Sequence, residues 1–255
     1  MNILVLMKQT FDTEEKIVLQ NGVISEEGVN FIINPYDEYA IEEAIKLCDE
    51  NGGGEVTVIT IGPERAESAL RTALAMGADN AVMVNSEGLD LDEYSVAKIL
   101  AAVIKDRDYN LIIGGNVAVD DGSGQIGPRL AEELNIPQVT TITKLDIQGM
   151  EATVERDVEG DKEIIEVSLP VLVTAQQGLN EPRYPSLPGI MKAKKKPIKR
   201  MEIGDLHIDT GVEAKTVVME TFFPPKKEAG RILSGTIQEQ VADLARLLRS
   251  EAKVI

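Results

Sequence analysis

Segments typical of buried strands and segments typical of helices alternate along the first 147 residues, and this order constrains the possible folds most strongly. The predicted strands are short apolar runs, which lie at 2–8, 55–62, 80–85, 109–115 and 137–147. The predicted helices carry a repeating apolar face, and they lie within 34–54, 63–79, 92–108 and 126–135. This alternation predicts an α/β protein with a doubly wound parallel sheet and helices on both faces.

Local signals support individual elements of this prediction. Asn34 can cap the first helix, and Asp37 in its first turn suits the positive end of the helix dipole. Cys48 falls on the apolar face of the same helix, so we expect it in the core. Alternating apolar residues around Asn21-Gly22 predict a tight β-hairpin over 16–25.

The pattern changes after residue 147. Period-two alternation over 150–175, with a turn at Glu159-Gly160-Asp161, predicts an added antiparallel hairpin and then a further core strand. An amphipathic helix is predicted within 234–255, and a tail with one such helix cannot bury itself well, so we expect it to pack on another subunit. The predicted organisation is an α/β domain, a loop with a basic segment, and a C-terminal arm, at 1–178, 179–200 and 201–255 respectively.

Composition argues against several classes of protein. The chain has 43 acidic and 26 basic residues and a formal net charge of −17, which is unfavourable for nucleic-acid binding. No apolar run approaches the roughly 18 residues of a transmembrane helix, so direct membrane insertion is not expected. We expect the N-terminal stretch MNILVLMKQT to be a strand and not an export signal, and a single cysteine suits a reducing compartment. A cytoplasmic location is predicted.

No set of catalytic side chains is visible in the sequence. The single histidine, His207, makes a zinc site or a Cys–His nucleophile pair unexpected, and we expect it on the surface. The chain lacks a Ser-His-Asp candidate beyond this residue, and it lacks a G-x-S-x-G elbow. The sequence therefore favours a binding or carrier subunit without its own catalytic residues over a hydrolase.

Ligands of open α/β sheets bind beyond the carboxyl ends of the strands, and three predicted loops lie there, at 8–13, 62–63 and 114–128. The third, which we call the glycine loop, has the sequence GGNVAVDDGSGQIGP. Ser123, Gly124 and Gln125 lie near a predicted helix N-terminus, where free N–H groups favour phosphate. Asp120 and Asp121 are candidates for ribose hydroxyls, for shaping the turn or, with less support, for a metal or for acid–base chemistry. A plain strand-to-helix turn is the alternative.

A positive segment stands out on this acidic chain. Six of the nine residues of 192–200 are Lys or Arg, and they follow Pro182, Pro185 and Pro188. We call residues 179–200 the proline–lysine segment. Prolines reduce the freedom of a loop before it binds, and lysines steer an acidic partner. The other interpretations of the charge are a solvated lysine face and contact with nucleic acid or an anionic membrane.

Four stretches resemble the β subunit of electron transfer flavoproteins. They are RTALAMGAD, NPYDEYAIEEA, VDDGSGQIG and LNEPRYPSLPGIMKAKKKPI, at 71–79, 34–44, 119–127 and 179–198. The resemblance implies a Rossmann-like domain whose C-terminal arm embraces an α subunit, and FAD bound mainly by that α subunit. It implies electron flow from acyl-CoA dehydrogenases towards a membrane-associated quinone oxidoreductase. It also implies AMP in the β subunit or, in electron-bifurcating relatives that oxidise NADH, a second FAD there.

The resemblance also implies roles for particular residues. Those near the nucleotide are Leu6, Asn34, Ile61, Gly62, Asp120, Gly122, Ser123, Gly124, Gln125, Ile126 and Gly127. Thr13 and Tyr36 match positions that face the isoalloxazine of the α-bound FAD. Leu187 matches a hydrophobic anchor for the partner dehydrogenase, and the partner-binding set is Leu187, Pro188, Ile190, Met191, Lys192 and Lys195. Two of its members, Lys192 and Lys195, match positions that are methylated in some relatives.

Two questions stay open at this point. The glycine loop has Gly122 directly before Ser123, where bifurcating relatives tend to have an aspartate before a threonine, so AMP is favoured over a second FAD. An adenine-nucleotide-sensing module without flavin is a further alternative, because one fold supports many functions.

Overall fold

The computed structural model describes residues 1–206, 208, 212–227 and 229–255. Its strands are β1 (Asn2–Leu6), β2 (Gln9–Phe11), β3 (Leu19–Gln20), β4 (Val23–Ile24), β5 (Phe31–Ile33), β6 (Glu55–Gly62), β7 (Asn80–Asn85), β8 (Leu111–Gly115), β9 (Gln138–Gln148), β10 (Glu151–Val158), β11 (Asp161–Ser168), β12 (Val171–Ala175) and β13 (Ile198–Glu202). Its helices are α1 (Pro35–Glu50), α2 (Glu67–Met76), α3 (Glu93–Ile104), α4 (Ile126–Leu134), α5 (Leu187–Ala193) and α6 (Ile237–Leu247).

A nine-stranded sheet forms the centre of the molecule, in the order β11-β10-β9-β12-β8-β1-β6-β7-β13. Pairing is parallel from β9 to β13 along this order, and β10 and β11 add an antiparallel hairpin beside β9. The predicted doubly wound α/β fold with an added hairpin is therefore confirmed. The winding reverses between β1 and β8, because β1 leads to β6 on one side and β8 leads towards β9 and β12 on the other.

The core has two layers, one on each face of the sheet. Alternate residues of β1 divide between them: Ile3 and Val5 pack with α1 and α2, and Leu4 and Leu6 pack with α3 and α4. This division follows from the two-residue period of a strand, and it explains why the central strands are apolar on both faces. Cys48 is buried with the α1 layer, as its place on the helix predicts.

Local turn chemistry is also confirmed at the predicted hairpin. Strands β3 and β4 pair around Asn21 and Gly22, which have φ angles of 53° and 80°. This left-handed conformation costs glycine little and is tolerated by asparagine, so the Asn-Gly pair suits a two-residue hairpin turn.

The proline–lysine segment differs from its prediction as a loop. The sequence pattern predicts the last strand of the sheet before residue 178, but Ile198–Glu202 pairs in parallel with β7 and forms the edge of the sheet. Part of the segment that was treated as a loop is the short helix α5. Both elements escaped prediction because prolines and lysines obscure the periodicity, and because the pairing of β13 with a distant strand has no local signal.

The C-terminal arm contributes little to the core. Helix α6 has no buried residue, and its apolar side chains Ile237, Val241 and Leu244 are exposed. His207 lies outside the described residues. In the described part of the chain, no helix is long and apolar enough to cross a membrane.

Ile112 tests the importance of the central strand β8. Its side chain is fully buried in the α3 and α4 layer, so Ile112→Ala should lower the free energy of unfolding by about 2–5 kcal/mol. Met150, in the exposed turn between β9 and β10, is the control, and Met150→Ala should change that free energy by less than about 0.5 kcal/mol. Equal effects of the two variants in urea unfolding would contradict the proposed core.

Candidate functional site

A cleft of about 560 Å³ opens at the carboxyl ends of the central strands, beside the point where the winding reverses. All three loops that the sequence analysis placed at this edge contribute to it, through Lys8 and Gln9, through Gly62 and Pro63, and through the glycine loop. Its volume falls within the roughly 300–1,000 Å³ that small-molecule sites occupy. The location is the one where open α/β sheets bind their ligands.

One wall of the cleft is apolar. Leu6, Ile59 and Ile61 come from the strands, and Leu91, Val96 and Leu100 come from α3 and the residues before it. These side chains belong to, or pack against, the α3 and α4 layer of the core. Leu6, Ile59 and Leu100 are buried in that layer, and Ile61, Leu91 and Val96 are partly buried against it. An apolar wall of this kind suits a flat ring system such as adenine.

The opposite side of the cleft is the glycine loop and the beginning of α4. Gln125 precedes this helix without a side-chain cap, so the first N–H groups of α4 are not satisfied by a capping side chain. Gly122 and Gly124 have φ angles of 66° and 63°, which glycine adopts without strain. Gly127 lets α4 approach β12, because a Cβ atom there would lie 2.6 Å from Thr174 Cγ2. Helix N-termini with this geometry favour phosphate.

Lys8 binds both aspartates of the glycine loop. Its Nζ lies 2.8 Å from Asp120 Oδ1 and 2.7 Å from Asp121 Oδ2. Burial opposes the charged ammonium, but these hydrogen bonds and negative charges raise the pKa of Lys8 above its ordinary value. The pKa of Asp121 is lowered, because Lys8 and the N–H of Ser123 outweigh the effect of burial. The two carboxylates therefore fix the loop to the end of β1.

Asn34 is buried beside the glycine loop, and its side-chain amide forms hydrogen bonds with the loop backbone. Its Nδ2 donates to the carbonyl oxygen of Val117 at 2.9 Å, and its Oδ1 accepts from the N–H of Val119 at 3.1 Å. Both groups of the side chain are thus used by the loop backbone. Asn34 lines the cleft, and its observed contacts shape the loop.

Asp37 is the buried carboxylate of the site and is 5% exposed. Its Oδ2 accepts from the N–H of Lys8 at 2.7 Å, and its Oδ1 accepts from the N–H of Gly115 at 2.9 Å. It therefore joins the ends of β1 and β8 across the reversal point. Burial raises the pKa of Asp37 to about 7, and the hydrogen bonds from Lys8, Asn34 and Gly115 oppose this shift.

The C-terminal arm completes one side of the cleft through Thr216 and Val218. Asp92, which caps α3, accepts hydrogen bonds from the N–H groups of Lys215 and Thr216 at 2.6 and 2.9 Å. Although burial opposes ionisation, these donors and the N–H of Ser95 hold the pKa of Asp92 well below its usual range. No local pattern predicts this contact, because Asp92 and Thr216 lie 124 residues apart in the sequence.

Most of the expected nucleotide residues lie together. Those that line the cleft are Leu6, Asn34, Ile61, Gly62, Asp120, Ser123, Gly124, Gln125, Ile126 and Gly127. Gly122 belongs to the same loop but does not line the cleft. Thr13 lies in an exposed turn after β2, and Tyr36 is half-buried in the first turn of α1. Asp37 and Asp92 were missed as site residues, and Lys8 was included only as the start of the first candidate loop, without a role of its own.

The expected partner-binding residues form a separate surface on and after the start of α5. Leu187 and Met191 are 79% and 68% exposed, Ile190 is 39% exposed, and Pro188, Lys192 and Lys195 are also exposed. None of them lines the cleft. The cleft and this apolar and basic surface are therefore two separate features of the protein.

A doubly wound sheet with a cleft at its reversal point is the architecture of Rossmann-like α/β proteins. Residues 21–206 match the model of the electron transfer flavoprotein domain family. The chain is 61% identical over 259 residues to the electron transfer flavoprotein subunit beta of Bacillus subtilis, with both chains fully covered. It is 41% identical to the subunit of that name from Syntrophomonas wolfei, over all of this chain and 98% of the relative. It is also 39% identical to the caffeyl-CoA reductase–Etf complex subunit CarD of Acetobacterium woodii, with 95% of each chain covered.

The chain belongs to the electron transfer flavoprotein family, as a β subunit. The resemblance that four short stretches indicated is thereby confirmed over the whole chain. Because the relatives include a subunit of a reductase complex as well as proteins named only as electron transfer flavoproteins, membership does not by itself specify the electron donor.

Asp37 gives the site a dependence on pH. Its pKa of about 7 in the folded protein lies above the value of about 3.9 in an unfolded chain, so folding favours the neutral carboxyl. Its contribution to stability should be fully present below about pH 4 and should be lost as the pH rises towards 7. In a carbon-13 NMR titration, the carboxyl signal of Asp37 should have a midpoint near pH 7.

Asp121 serves as the control in the same titration, because its pKa is lowered and its signal should change at a pH below that of an ordinary aspartate. A midpoint near pH 4 for Asp37 would contradict this prediction. It would show that the hydrogen bonds from the two backbone donors cancel the effect of burial on the pKa of Asp37.

Proposed function

We propose that this β subunit carries electrons from acyl-CoA dehydrogenases towards a membrane-associated quinone oxidoreductase, through FAD that is held mainly by an α subunit. In this proposal the cleft holds AMP, which has a structural role, and the chain has no catalytic residues of its own. The proposed location is the cytoplasm, which suits a single buried thiol. The single observation that carries the proposal is the pairing of a cleft of nucleotide size with a separate exposed α5 surface.

The two sides of the cleft support an adenine nucleotide. The apolar wall of Leu6, Ile59 and Ile61 suits the base, and the start of α4 suits a phosphate. Ser123 and Gln125 lie at the phosphate side, and both precede the helix. The unsatisfied backbone N–H groups at the start of α4 are the proposed donors to the phosphate.

A second FAD in the cleft is the alternative, with NADH as the electron donor of a bifurcating complex. The observation that favours it is the similarity to a subunit of a caffeyl-CoA reductase–Etf complex. The ADP part of FAD carries the same adenine and a phosphate at the same position, so the apolar wall and the start of α4 suit that part of both ligands. Gly122 directly before Ser123 supports AMP.

The exposed apolar residues of the C-terminal arm support a heterodimer. Monomeric proteins rarely leave so many large apolar side chains in water. Those more than half exposed within the arm include Val217, Val218, Met219, Phe222, Phe223, Ile232, Ile237 and Val241. In the proposal this arm packs on the α subunit, and Thr13 and Tyr36 face the flavin that the α subunit binds.

The nucleotide proposal is tested by co-expression with the α subunit of the same organism and by measuring flavin and AMP in the purified complex. One FAD and one AMP per αβ pair are expected. Two FAD, with NADH bleaching one of them, would replace AMP by the alternative, and a colourless complex would favour a nucleotide-sensing module.

Gly124→Val should lower the nucleotide content of the β subunit. A β-branched residue is strained at a φ of 63°, so the backbone of the loop would have to change its conformation. Gly149→Val is the matched control, because Gly149 has a φ of 64° in open space on a distant turn. Affinity should fall roughly tenfold or more for Gly124→Val alone. Full occupancy in both variants would refute the proposed phosphate side.

Leu187 is the proposed anchor for the dehydrogenase. Burying a leucine side chain contributes about 1.5–3 kcal/mol, so Leu187→Ala should raise the apparent KM for an acyl-CoA dehydrogenase roughly tenfold or more. FAD content should not change, because Leu187 is 79% exposed and lies outside the cleft. Ile164→Ala, on the exposed face of β11, should leave the transfer kinetics unchanged. Unaltered kinetics for Leu187→Ala would eliminate the anchor role.

A further inference from the structure

Helix α5 cannot hold its own position. It has seven residues, and isolated helices shorter than about 12 residues are marginal in water. Its exposed residues Leu187 and Met191 contribute little contact with the rest of the chain. Ser186 caps its beginning by accepting from the N–H of Gly189, but a cap alone does not orient a helix relative to the sheet. Contacts of α5 and its flanking residues with the rest of the chain must therefore set the direction in which Leu187 points.

Arg183 anchors the chain before α5 to α1. Its Nε and Nη2 donate to the two carboxylate oxygens of Glu42, at 2.8 and 2.9 Å, and its backbone N–H donates to the same carboxylate at 3.1 Å. The side chain of Glu42 is only 10% exposed and that of Arg183 is 40% exposed, so the carboxylate side of this two-point hydrogen bond is shielded from water. The hydrogen bond to Glu42 raises the pKa of Arg183, which therefore keeps its charge.

Asn180 adds a second contact with the same helix. Its Nδ2 donates to Glu43 Oε2 at 2.9 Å and to the carbonyl oxygen of Tyr39 at 3.0 Å. Glu43 is 1% exposed, and a buried carboxylate needs such a donor. The chain before α5 is thus attached at two points to a helix that packs on the central sheet.

Arg71 of α2 anchors the other end of α5. Its Nη1 donates to the carbonyl oxygens of Ala193 and Lys196 at 2.8 and 2.6 Å, which satisfies acceptors at the helix C-terminus. Glu67 accepts from the Nε and Nη2 of the same guanidinium at 3.0 and 2.9 Å and so fixes its plane. Lys196 in turn donates from Nζ to the carbonyl oxygen of Ala78 at 2.6 Å.

Gly189 brings α5 directly against the end of α2. A Cβ atom at this position would overlap the carbonyl oxygen of Ala75, so only glycine permits the observed approach. Ala193, one turn later, is 2% exposed and belongs to the core. With one side of α5 in contact with α2, Leu187 and Met191 are left on the outer side.

We propose that Arg183 and Arg71 are positioning residues for docking, and that together they hold α5 in the orientation in which Leu187 meets a partner protein. We call this pair the α5 clamp. The proposal rests on the proposed docking role of Leu187 and adds the residues that prepare the surface before the partner arrives. A surface that is ordered in advance loses less conformational entropy on binding, so the clamp acts on affinity for the partner and not on the electron-transfer step.

The clamp also divides the basic residues of the proline–lysine segment into two groups. Lys196 and Arg200 bind their own chain, through Ala78 and through Glu64 and Glu67. No acidic side chain of the described residues forms an ion pair with Lys192, Lys194, Lys195 or Lys199. The second group is therefore the one available for steering an acidic partner.

The experiment uses the complete αβ complex with FAD bound and compares Arg183→Leu, Arg71→Leu and the wild type. Amide hydrogen exchange at Ile190 and Lys194, whose N–H groups bond within α5, should become faster in both variants. The KM for an acyl-CoA dehydrogenase should rise roughly tenfold while kcat and FAD content stay unchanged. Arg183→Lys, which keeps the charge but cannot bond to both oxygens of Glu42, should give an intermediate KM.

Arg156→Leu is the matched control, because Arg156 forms a similar ion pair with Glu163 on the distant hairpin, and it should change neither exchange in α5 nor the KM. If Leu187→Ala raises the KM but both clamp variants leave the KM and the exchange rates unaltered, the clamp is wrong and the docking role stands. If Leu187→Ala leaves the KM unaltered, the docking role fails, and the clamp fails with it as a device for docking.

Discussion

The buried carboxylate of Asp37 connects the two strands between which the cleft opens, and the arrangement of the site depends on this connection. Its two oxygens accept from the N–H groups of Lys8, which follows β1, and of Gly115, which ends β8. Asp37 therefore fixes the spacing of two segments that lie 29 and 78 residues from it along the chain. A carboxylate with so little contact with water is costly unless it is hydrogen-bonded or neutral. The raised pKa of about 7 reflects that cost, and both backbone donors reduce it.

Helix α1 links the two candidate sites of the protein. Its beginning supports the cleft through Asn34 and Asp37, and its middle supports the proline–lysine segment through Glu42 and Glu43. These acidic side chains lie on the buried side of an otherwise apolar helix face. Each of them has a donor from a distant part of the chain, so α1 supports the cleft at one end and the proposed docking surface further along.

The distribution of charge follows from the same contacts. The protein as a whole is acidic, and within the positive segment at 192–200 the side chains of Lys196 and Arg200 bind groups of their own chain. Lys8 is likewise used internally, because it neutralises two aspartates of the glycine loop. The positive charge that remains exposed lies beside the apolar side chains of Leu187 and Met191. An apolar anchor with surrounding lysines is suited to an acidic protein partner and not to a nucleic acid, which would need a broad basic surface.

The sequence by itself determined the alternation of strands and helices, the added hairpin, the Asn-Gly turn and the position of the glycine loop, because each of these depends on periodicity or turn chemistry within a few residues. It also indicated the family, through the four stretches that resemble electron transfer flavoprotein β subunits. Only the tertiary structure decided that Ile198–Glu202 closes the edge of the sheet, that Asp92 holds Thr216 beside the cleft, and that Arg71 binds the carbonyl oxygen of Lys196. Those contacts join residues more than 100 positions apart, and no local pattern encodes which distant partner a strand edge, a carboxylate or a guanidinium will meet.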